Sequence, residues 1–535
     1  MKSLCIFALF AIVFPFYSSA QFLDDSLQTC FVCNASGNQS NVSAFGDGDG
    51  GTYSFWIDHR QGINDGCIYA QHLDSLGNEF WQNNGKLLYH ANNKKIWNMK
   101  ATPWRNGILL AWVEGTNGGD TLLCDYYNFN GHSNWNHPEV ISYKDSSVLY
   151  VGYNNLDILP NDTGATVAYN LTVLGGSTYF SFNQIDQNGR LRWLINSNLY
   201  SGNGYYYSTA DDHHNGFYVT ASGGGPGATI TIGHFDIDGN LTTPGPVDLT
   251  SIGGGRGNDE WKLACDDDSN AYITWVNNPG GNVILVKIQP DGTLPFSSGG
   301  VQMVCDITSG NINPDIFIAY DTIYVTWADP RNQLPGGYQV YMQKFDANGN
   351  AQWNYGGIQV SPFTGSLPFP KVTVAGNDVV AFFLAGGAFR SQRVFPNGGL
   401  QWPYYGIAMN MVDIPYLGDY RLVPAGDGAV TAIWAEASGD ICAGRMRLNG
   451  TLTNILQHHA LSLSAYPNPA SSSIRISSNN FSGHFSTLLI YDYDGRLAYR
   501  EENFTGDFSV NVDAFSSGLY CADINGEKIK FSVSH

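Results

Sequence analysis

Of the 535 residues only 13% are charged, while Gly reaches 62, Tyr 31 and Phe 29, a balance that belongs to turn-rich exported all-β proteins. A net charge of −20 and a pI near 4.8 make the long-range field repel phosphate backbones and anionic lipid, which excludes nucleic acid as a partner.

The chain opens on a secretory signal over residues 1–20. Lys2 supplies the charge, Leu4 through Phe16 the apolar run, and Ser18-Ser19-Ala20 the small residues before a cut at Gln21. That run is too short to span a bilayer, and no later segment approaches membrane length, so a soluble chain without a transmembrane segment is expected after export. Eight cysteines follow the cut, few and scattered for such a length, which argues against a disulfide scaffold. Cys30-x-x-Cys33 reads as strand, whereas redox chemistry wants its first thiol at a helix N-terminus; buried thiols with at most one bridge are expected.

Residues 22–456 repeat with a period of about 53 residues. Each unit has a turn ending in glycine, at Gly77, Gly131, Gly189, Gly239, Gly292, Gly349, Gly398 and Gly450. Asp74, Asp186, Asp236 and Asp346 stand three residues before four of these; Trp81, Trp135, Trp193, Trp353 and Trp402 stand four residues after five, with Phe296 in a sixth. The turn needs a short side chain that can bond its own backbone and a residue tolerant of positive φ. The Trp is expected to be buried where one sheet covers the next. Upstream of each glycine lies an aromatic-ended strand, such as Tyr53-Ser54-Phe55-Trp56 or Tyr324-Val325-Thr326-Trp327. Several short strands per unit at this period predict a β-propeller of eight blades, with seven as the alternative count. Val32-Cys33-Asn34-Ala35-Ser36 matches Val304-Cys305-Asp306-Ile307-Thr308 position by position, and the eighth unit stops soon after Gly450. Residues near 30 to 36 are therefore expected to complete the eighth blade and remove the free sheet edges.

The repeats resemble propeller repeats of exported Bacteroidetes proteins, with forms like W-x-D-x-R followed by Y-x-Q. Trp56-Ile57-Asp58-His59-Arg60 with Gln71 and Trp327-Ala328-Asp329-Pro330-Arg331 with Gln343 match best. Asp58, Arg60, Asp329 and Arg331 are expected in loops at one face, where they either fasten their own loop or offer charge-assisted hydrogen bonds to a ligand. Asp211-Asp212-His213-His214 and Asp266-Asp267-Asp268 carry metal-ligand chemistry, yet they read as solvated hairpin turns; calcium at the second is the lesser reading, and no cofactor is expected. His458-His459 reads as linker. Quinoprotein propellers resemble the Asp346–Trp353 turn, but adjacent cysteines are missing. Sialidase boxes, G-x-S-x-G and H-E-x-x-H are also missing from the sequence.

After a linker at 457–464, residues 465–535 form a short β-patterned module. Pro467 and Pro469 force extended geometry, and Ser473-Ile474-Arg475-Ile476 and Thr487-Leu488-Leu489-Ile490-Tyr491 alternate as half-buried strands. Tyr466-Pro467-Asn468-Pro469, Gly495, Gly518 and Tyr520, closing on Lys528 and Lys530, resemble the C-terminal (type A) sorting domain of the type IX secretion system of Bacteroidetes, expected here as a small β-sandwich. The resemblance implies translocation across the outer membrane and release or attachment at the cell surface, with the secretion machinery as partner. The expected whole is a monomeric, noncatalytic binding or adhesion module for an extracellular glycan or protein. The alternative is a secreted polysaccharide hydrolase or lyase, and a tight carboxylate pair at the channel mouth would mark it.

Overall fold

The computed structural model describes residues 30–535 except 117–120, 136, 144–147, 174–177, 198–203, 224–229, 253, 256–260, 279, 297–298, 308–309, 320, 333–336, 362–367, 386–387, 404–405, 411–419, 426–427, 448–463, 478–485, 493–495, 505–507 and 525–526. The signal segment, Gly450, His458, His459 and Gly495 lie outside the described residues. The chain divides into two compact units, Met1–Thr453 and Asn454–His535.

The first unit is eight antiparallel sheets. Blade one runs Gln39–Gly46, Thr52–Asp58, Cys67–Leu73, Lys86–His90 from its inner to its outer strand, and the later blades repeat that order. In blade five the inner position is shared by Gly254–Gly255 and Lys262–Cys265. Each inner strand lies against the next: Gln39–Gly46, Lys95–Trp104, Val148–Pro160, Gly204–Asp211, Lys262–Cys265, Ile312–Ala319, Lys371–Ala375 and Tyr420–Pro424, which returns to Gln39–Gly46. The ring therefore closes with eight blades. In blade eight the outer strand is Cys30–Cys33, paired to Ile441–Met446 through Cys30–Ala443, Phe31–Cys442 and Cys33–Ile441. The expected closure by the segment near residue 30 is what the pairing shows, and it leaves no open blade edge at the seam.

Second strands such as Thr52–Asp58 and Gly107–Gly115 are buried at every position, because neighbouring blades cover both faces of each sheet. The core accordingly lies between blades. One cluster joins Phe55 and Ile68 of blade one to Met99 and Leu110 of blade two; another joins Phe382 and Phe389 of blade seven to Trp434 and Cys442 of blade eight.

The recurring tryptophans fall into two classes. Trp56, Trp112, Trp275, Trp327 and Trp434, at the ends of second strands, are 0–1% exposed. Among the turn tryptophans, Trp135 and Trp353 remain half-buried and donate Nε1–H to the carbonyls of Gln187 and Pro396 in the next blade's turn, both at 3.1 Å. Trp402 and Phe296 are buried as expected, at 8% and 6%, so the expectation of burial needs correction only at the half-buried turn positions such as Trp135 and Trp353. The turn lies at the rim, where one ring face meets the neighbour and the other meets water. The turns themselves form as expected: Asp74 Oδ1 accepts from the Leu76 and Asn78 amides at 2.8 Å, while Gly77 takes φ +85°.

The second unit is a sandwich. Ser464–Tyr466, Ser473–Ser477 and Phe508–Asn511 form one sheet; Leu497–Phe504, Ser486–Asp492, Gly518–Ile524 and Glu527–Val533 form the other. Ile474 and Ile476 from the first meet Leu488, Ile490, Ala522 and Phe531 from the second in a shared core. Tyr466 is 74% exposed and Pro467 and Pro469 are exposed beside it. Asn468 Oδ1 accepts from the Ser532 amide at 2.9 Å, and buried Tyr520 donates to the Ser516 carbonyl at 2.9 Å.

Candidate functional site at the channel mouth

Asp58 and Asp329 close second strands, and both are fully buried. Asp58 Oδ2 accepts from Trp56 Nε1 at 2.9 Å and from Arg60 Nη2 at 2.7 Å, while Oδ1 accepts from the Arg60 amide and Nε. Arg60 also donates Nη2 to the Asn84 carbonyl and to Cys33 Sγ, and its guanidinium lies 3.7 Å from the Tyr69 ring centre. Blade six repeats the cluster: Trp327, Asp329, Arg331, Cys305, Gly356 and Tyr341 take the same parts. Cys33 belongs to the outer strand of blade eight and Cys305 to that of blade five, so each cluster bolts a blade to the one before it. Burial pushes the Cys33 thiol up to about 12. Cys33, Cys67, Cys124, Cys265, Cys305, Cys442 and Cys521 are free thiols.

The acidic hairpins are solvated at their tips, where His213, His214, Asp267 and Asp268 are exposed, but one acid in each is buried. Asp212 is 3% exposed and lies 2.8 Å from His234 Nε2; its Oδ1 accepts from the His214 and Gly216 amides. Although burial works against ionisation, these donors and the His234 ring hold the Asp212 carboxyl below its ordinary range. Asp47 and His72 repeat the pair in blade one at 2.9 Å, with the Asp47 carboxyl likewise lowered. Asp266, also buried, is gripped by Asn270 and Tyr272. In blades one and four the third strand supplies the imidazole that meets the hairpin carboxyl. Among the described residues no group of three His, Cys, Asp or Glu is placed to hold a metal.

A cavity of about 340 Å³ opens where the inner strands begin. Blade one contributes Ser40, Asn41 and Ile57; blade two Ile96, Trp97, Asn98, Met99 and Lys100; blade three Leu156; blade eight Arg421. The inner strands of blades one, two and three lose register at this end, between Ser40 and Ser43, Ile96 and Asn98, and Val151 and Leu156. Such bulges turn side chains out of the pleat. Asn41 takes φ +55° within the first, a conformation Asn tolerates better than most residues, and donates Nδ2 to Asn98 Oδ1 at 3.0 Å. Lys100 Nζ lies 3.3 Å from Asp157. Among the described residues no carboxylate lines the cavity.

None of these lining residues stands out in the repeat pattern, but one signal was available. Of 13 tryptophans, five end second strands and five follow turns, leaving Trp97, Trp104 and Trp261. The last two are buried, at 6% and 4%; Trp97 remains partly exposed.

Residues 464–534 match the family described as secretion system C-terminal sorting domain. A search of curated proteins finds no match. Among solved structures the chain is similar to a puromycin hydrolase (13% identity, TM-score 0.37, covering 86% of this chain and 62% of that one). It is also similar to the β-propeller domain of the Trilobed protease from Pyrococcus furiosus (9%, 0.34, 69% and 98%). A mutant of Aleuria aurantia lectin AAL in complex with Fucalpha1-6GlcNAc is a third (12%, 0.34, 73% and 98%). The chain thus spans 62% of the hydrolase's length, and at these distances none of the three carries an argument about activity. Among the described residues no helix is long and apolar enough to cross a membrane. With its sorting domain at residues 464–534, the chain is a cargo of the type IX secretion system, exported and then released or attached at the cell surface.

Proposed function

We propose that the exported propeller is a noncatalytic module that binds an extracellular glycan at its channel mouth. The observation that carries this reading is the composition of the cavity: an indole, two carboxamides, a hydroxyl and two cations, one of them paired with Asp157, brought together from different blades with no carboxylate among the described lining residues. Glycosidases place two carboxyl groups across the scissile bond, whereas a binding site needs an apolar platform with a few fixed polar groups. Lys2, the apolar run after it and Ser18-Ser19-Ala20 support a Bacteroidetes-type first export step through a cleaved signal.

The test is titration of the purified mature chain against a panel of polysaccharides and their oligomers, with reducing-end release followed in the same samples. Binding without turnover, lost in Trp97→Ala, is the expected outcome. Turnover of any panel member, abolished by one Asp, Glu or His substitution, contradicts it, and so does binding only to a protein.

A further inference from the structure

Most of the described polar side chains that line the cavity are engaged with the protein itself. Lys100 Nζ meets Asp157 at 3.3 Å, and Arg421 donates Nη1 to the Tyr420 carbonyl at 3.2 Å. Asn98 Oδ1 accepts from the Met99 amide at 2.9 Å as well as from Asn41. Trp97 is fixed in the same way: its Nε1–H donates to the Gly115 carbonyl at 3.3 Å, and Lys95 Nζ lies 5.3 Å from the ring centre. The indole N–H is thus taken, and what Trp97 adds to the cavity is ring carbon.

Two neighbours on the inner strand of blade one differ. Ser40 Oγ has no partner among the described residues, and the Asn41 side chain has only its bond to Asn98. Chemistry fixes which way the Asn41 amide points. A backbone N–H can only donate, so the Asn98 atom facing Met99 is its oxygen, and the Asn41 atom facing that oxygen is its nitrogen. Asn41 Oδ1 remains as an acceptor and the second N–H as a donor, both without a protein partner among the described residues. The positive φ belongs to the bulge, since Asn313 in the matching bulge of blade six takes +51° against +55° at Asn41. Its consequence in blade one is a carboxamide held at the cavity before any ligand arrives, which lowers the ordering cost of binding. The size adds a limit, since about 340 Å³ is near the lower end of ligand pockets, which begin at roughly 300 Å³. That admits a sugar unit or two and no folded partner.

We infer that the channel mouth reads its sugar through two hydroxyls on adjacent ring carbons, with Asn41 Oδ1 accepting from one, the free Asn41 N–H donating to the other, and Ser40 Oγ beside them. Asn41 is thereby the specificity-determining residue, and the sugars taken are those that keep an unsubstituted pair of neighbouring hydroxyls. The inference rests on the glycan-binding reading above and names the group that is recognised. A carboxamide carries an acceptor and a donor close together, and a hydroxyl pair answers both because each hydroxyl can donate and accept. The indole covers the apolar C–H side of the ring.

Matched ligands separate this inference from the reading beneath it. The mature full chain is titrated with the methyl pyranosides of glucose, galactose and mannose and with their 3-deoxy counterparts, alone and as competitors of any panel glycan that binds. Loss of the 3-hydroxyl removes both neighbouring pairs of the ring at once. Wild type, Asn41→Gly, Ser40→Ala and Trp97→Ala are compared; glycine keeps the positive φ without strain, so Asn41→Gly removes the carboxamide and spares the backbone. At least one parent sugar is expected to bind about tenfold or more tighter than its 3-deoxy counterpart, the scale of two neutral hydrogen bonds. Asn41→Gly is expected to bring the parent down to the level of the 3-deoxy sugar and leave the latter unchanged, Ser40→Ala to lower the ratio in part, and Trp97→Ala to weaken both sugars alike. Should Asn41→Gly fail to fold, the wild-type ratio and Ser40→Ala still decide. Equal affinity for parent and 3-deoxy sugar, a ratio that survives Asn41→Gly, or a bound panel glycan that none of the parents displaces overturns the hydroxyl-pair inference and leaves glycan binding standing. Binding to none of these sugars, together with none in the wider panel, overturns the underlying reading as well.

Discussion

The blade joints and the channel mouth share Trp, Arg and Asn, and they put them to opposite uses. At the joint of blades eight and one, Trp56, Asp58, Arg60 and Cys33 are turned on one another until both oxygens of the Asp58 carboxylate have donors. At the mouth, Trp97, Asn41, Asn98 and Arg421 surround an open cavity. The joint chemistry recurs in blade six, as a device that holds blades together must where the same contact recurs. In a repeat protein, residues that follow the period mainly serve the ring; of the three tryptophans that break it, Trp104 and Trp261 are buried and Trp97 lines the cavity.

The largest effect is expected from cutting the seam. Deleting residues 22–33 removes the outer strand of blade eight and the Cys33 contact of Arg60 together, so thermal unfolding should move down by far more than for any single substitution. A melting temperature equal to that of the full mature chain would show that Cys30–Cys33 does not close the ring.

Next come the two tryptophan classes. Trp327→Ala should cost about 3–5 kcal/mol, the range for deleting a fully buried large aromatic, whereas half-buried Trp353→Ala should cost less than half of that. Urea unfolding of both variants measures the difference, and equal costs would erase the distinction between strand-end and turn positions. Within the joint, Arg60→Ala leaves the Asp58 carboxylate buried beside Trp56 without its cation, which should cost about 3 kcal/mol. Joint replacement of Asp58 and Arg60 should recover part of the loss, since no uncompensated charge then remains. A double variant as unstable as the sum of the singles would break that reading.

A smaller effect depends on pH. The folded carboxyls of Asp47 and Asp212 lie below their ordinary range, with burial opposed by their His partners and backbone amides. Folding therefore favours the ionised form. Their contribution is complete above the unfolded value, about 3.9, and drains away as pH falls through the lower folded values. The stability of His234→Asn should fall less steeply below pH 4 than that of wild type. Identical acid limbs would show that the pair contributes nothing there.

Much of the ring was legible because its signals are local. An Asp-x-x-Gly turn needs only neighbouring residues, and the likeness of Val32–Ser36 to Val304–Thr308 exposed the seam without any contact being known. Burial was less legible. Asp212 looked solvated within Asp211-Asp212-His213-His214 because its partner, His234, comes from the third strand, and Trp135 and Trp353 looked as deep as Trp402 because a period gives no depth. The cavity was beyond a linear reading, since its lining is assembled from four blades and two of its members, Asn41 and Trp97, owe their direction to bulges that no residue type announces.

The most direct measurement pairs Trp97→Ala with Trp353→Ala in one experiment, recording melting temperature and affinity for whichever panel glycan the wild-type chain binds. Trp97→Ala is expected to lose the ligand with no larger fall in melting temperature than Trp353→Ala, and Trp353→Ala to lower the melting temperature and keep the affinity. The reverse pattern, with ligand lost at the rim and stability lost at the mouth, would contradict the division between ring and site.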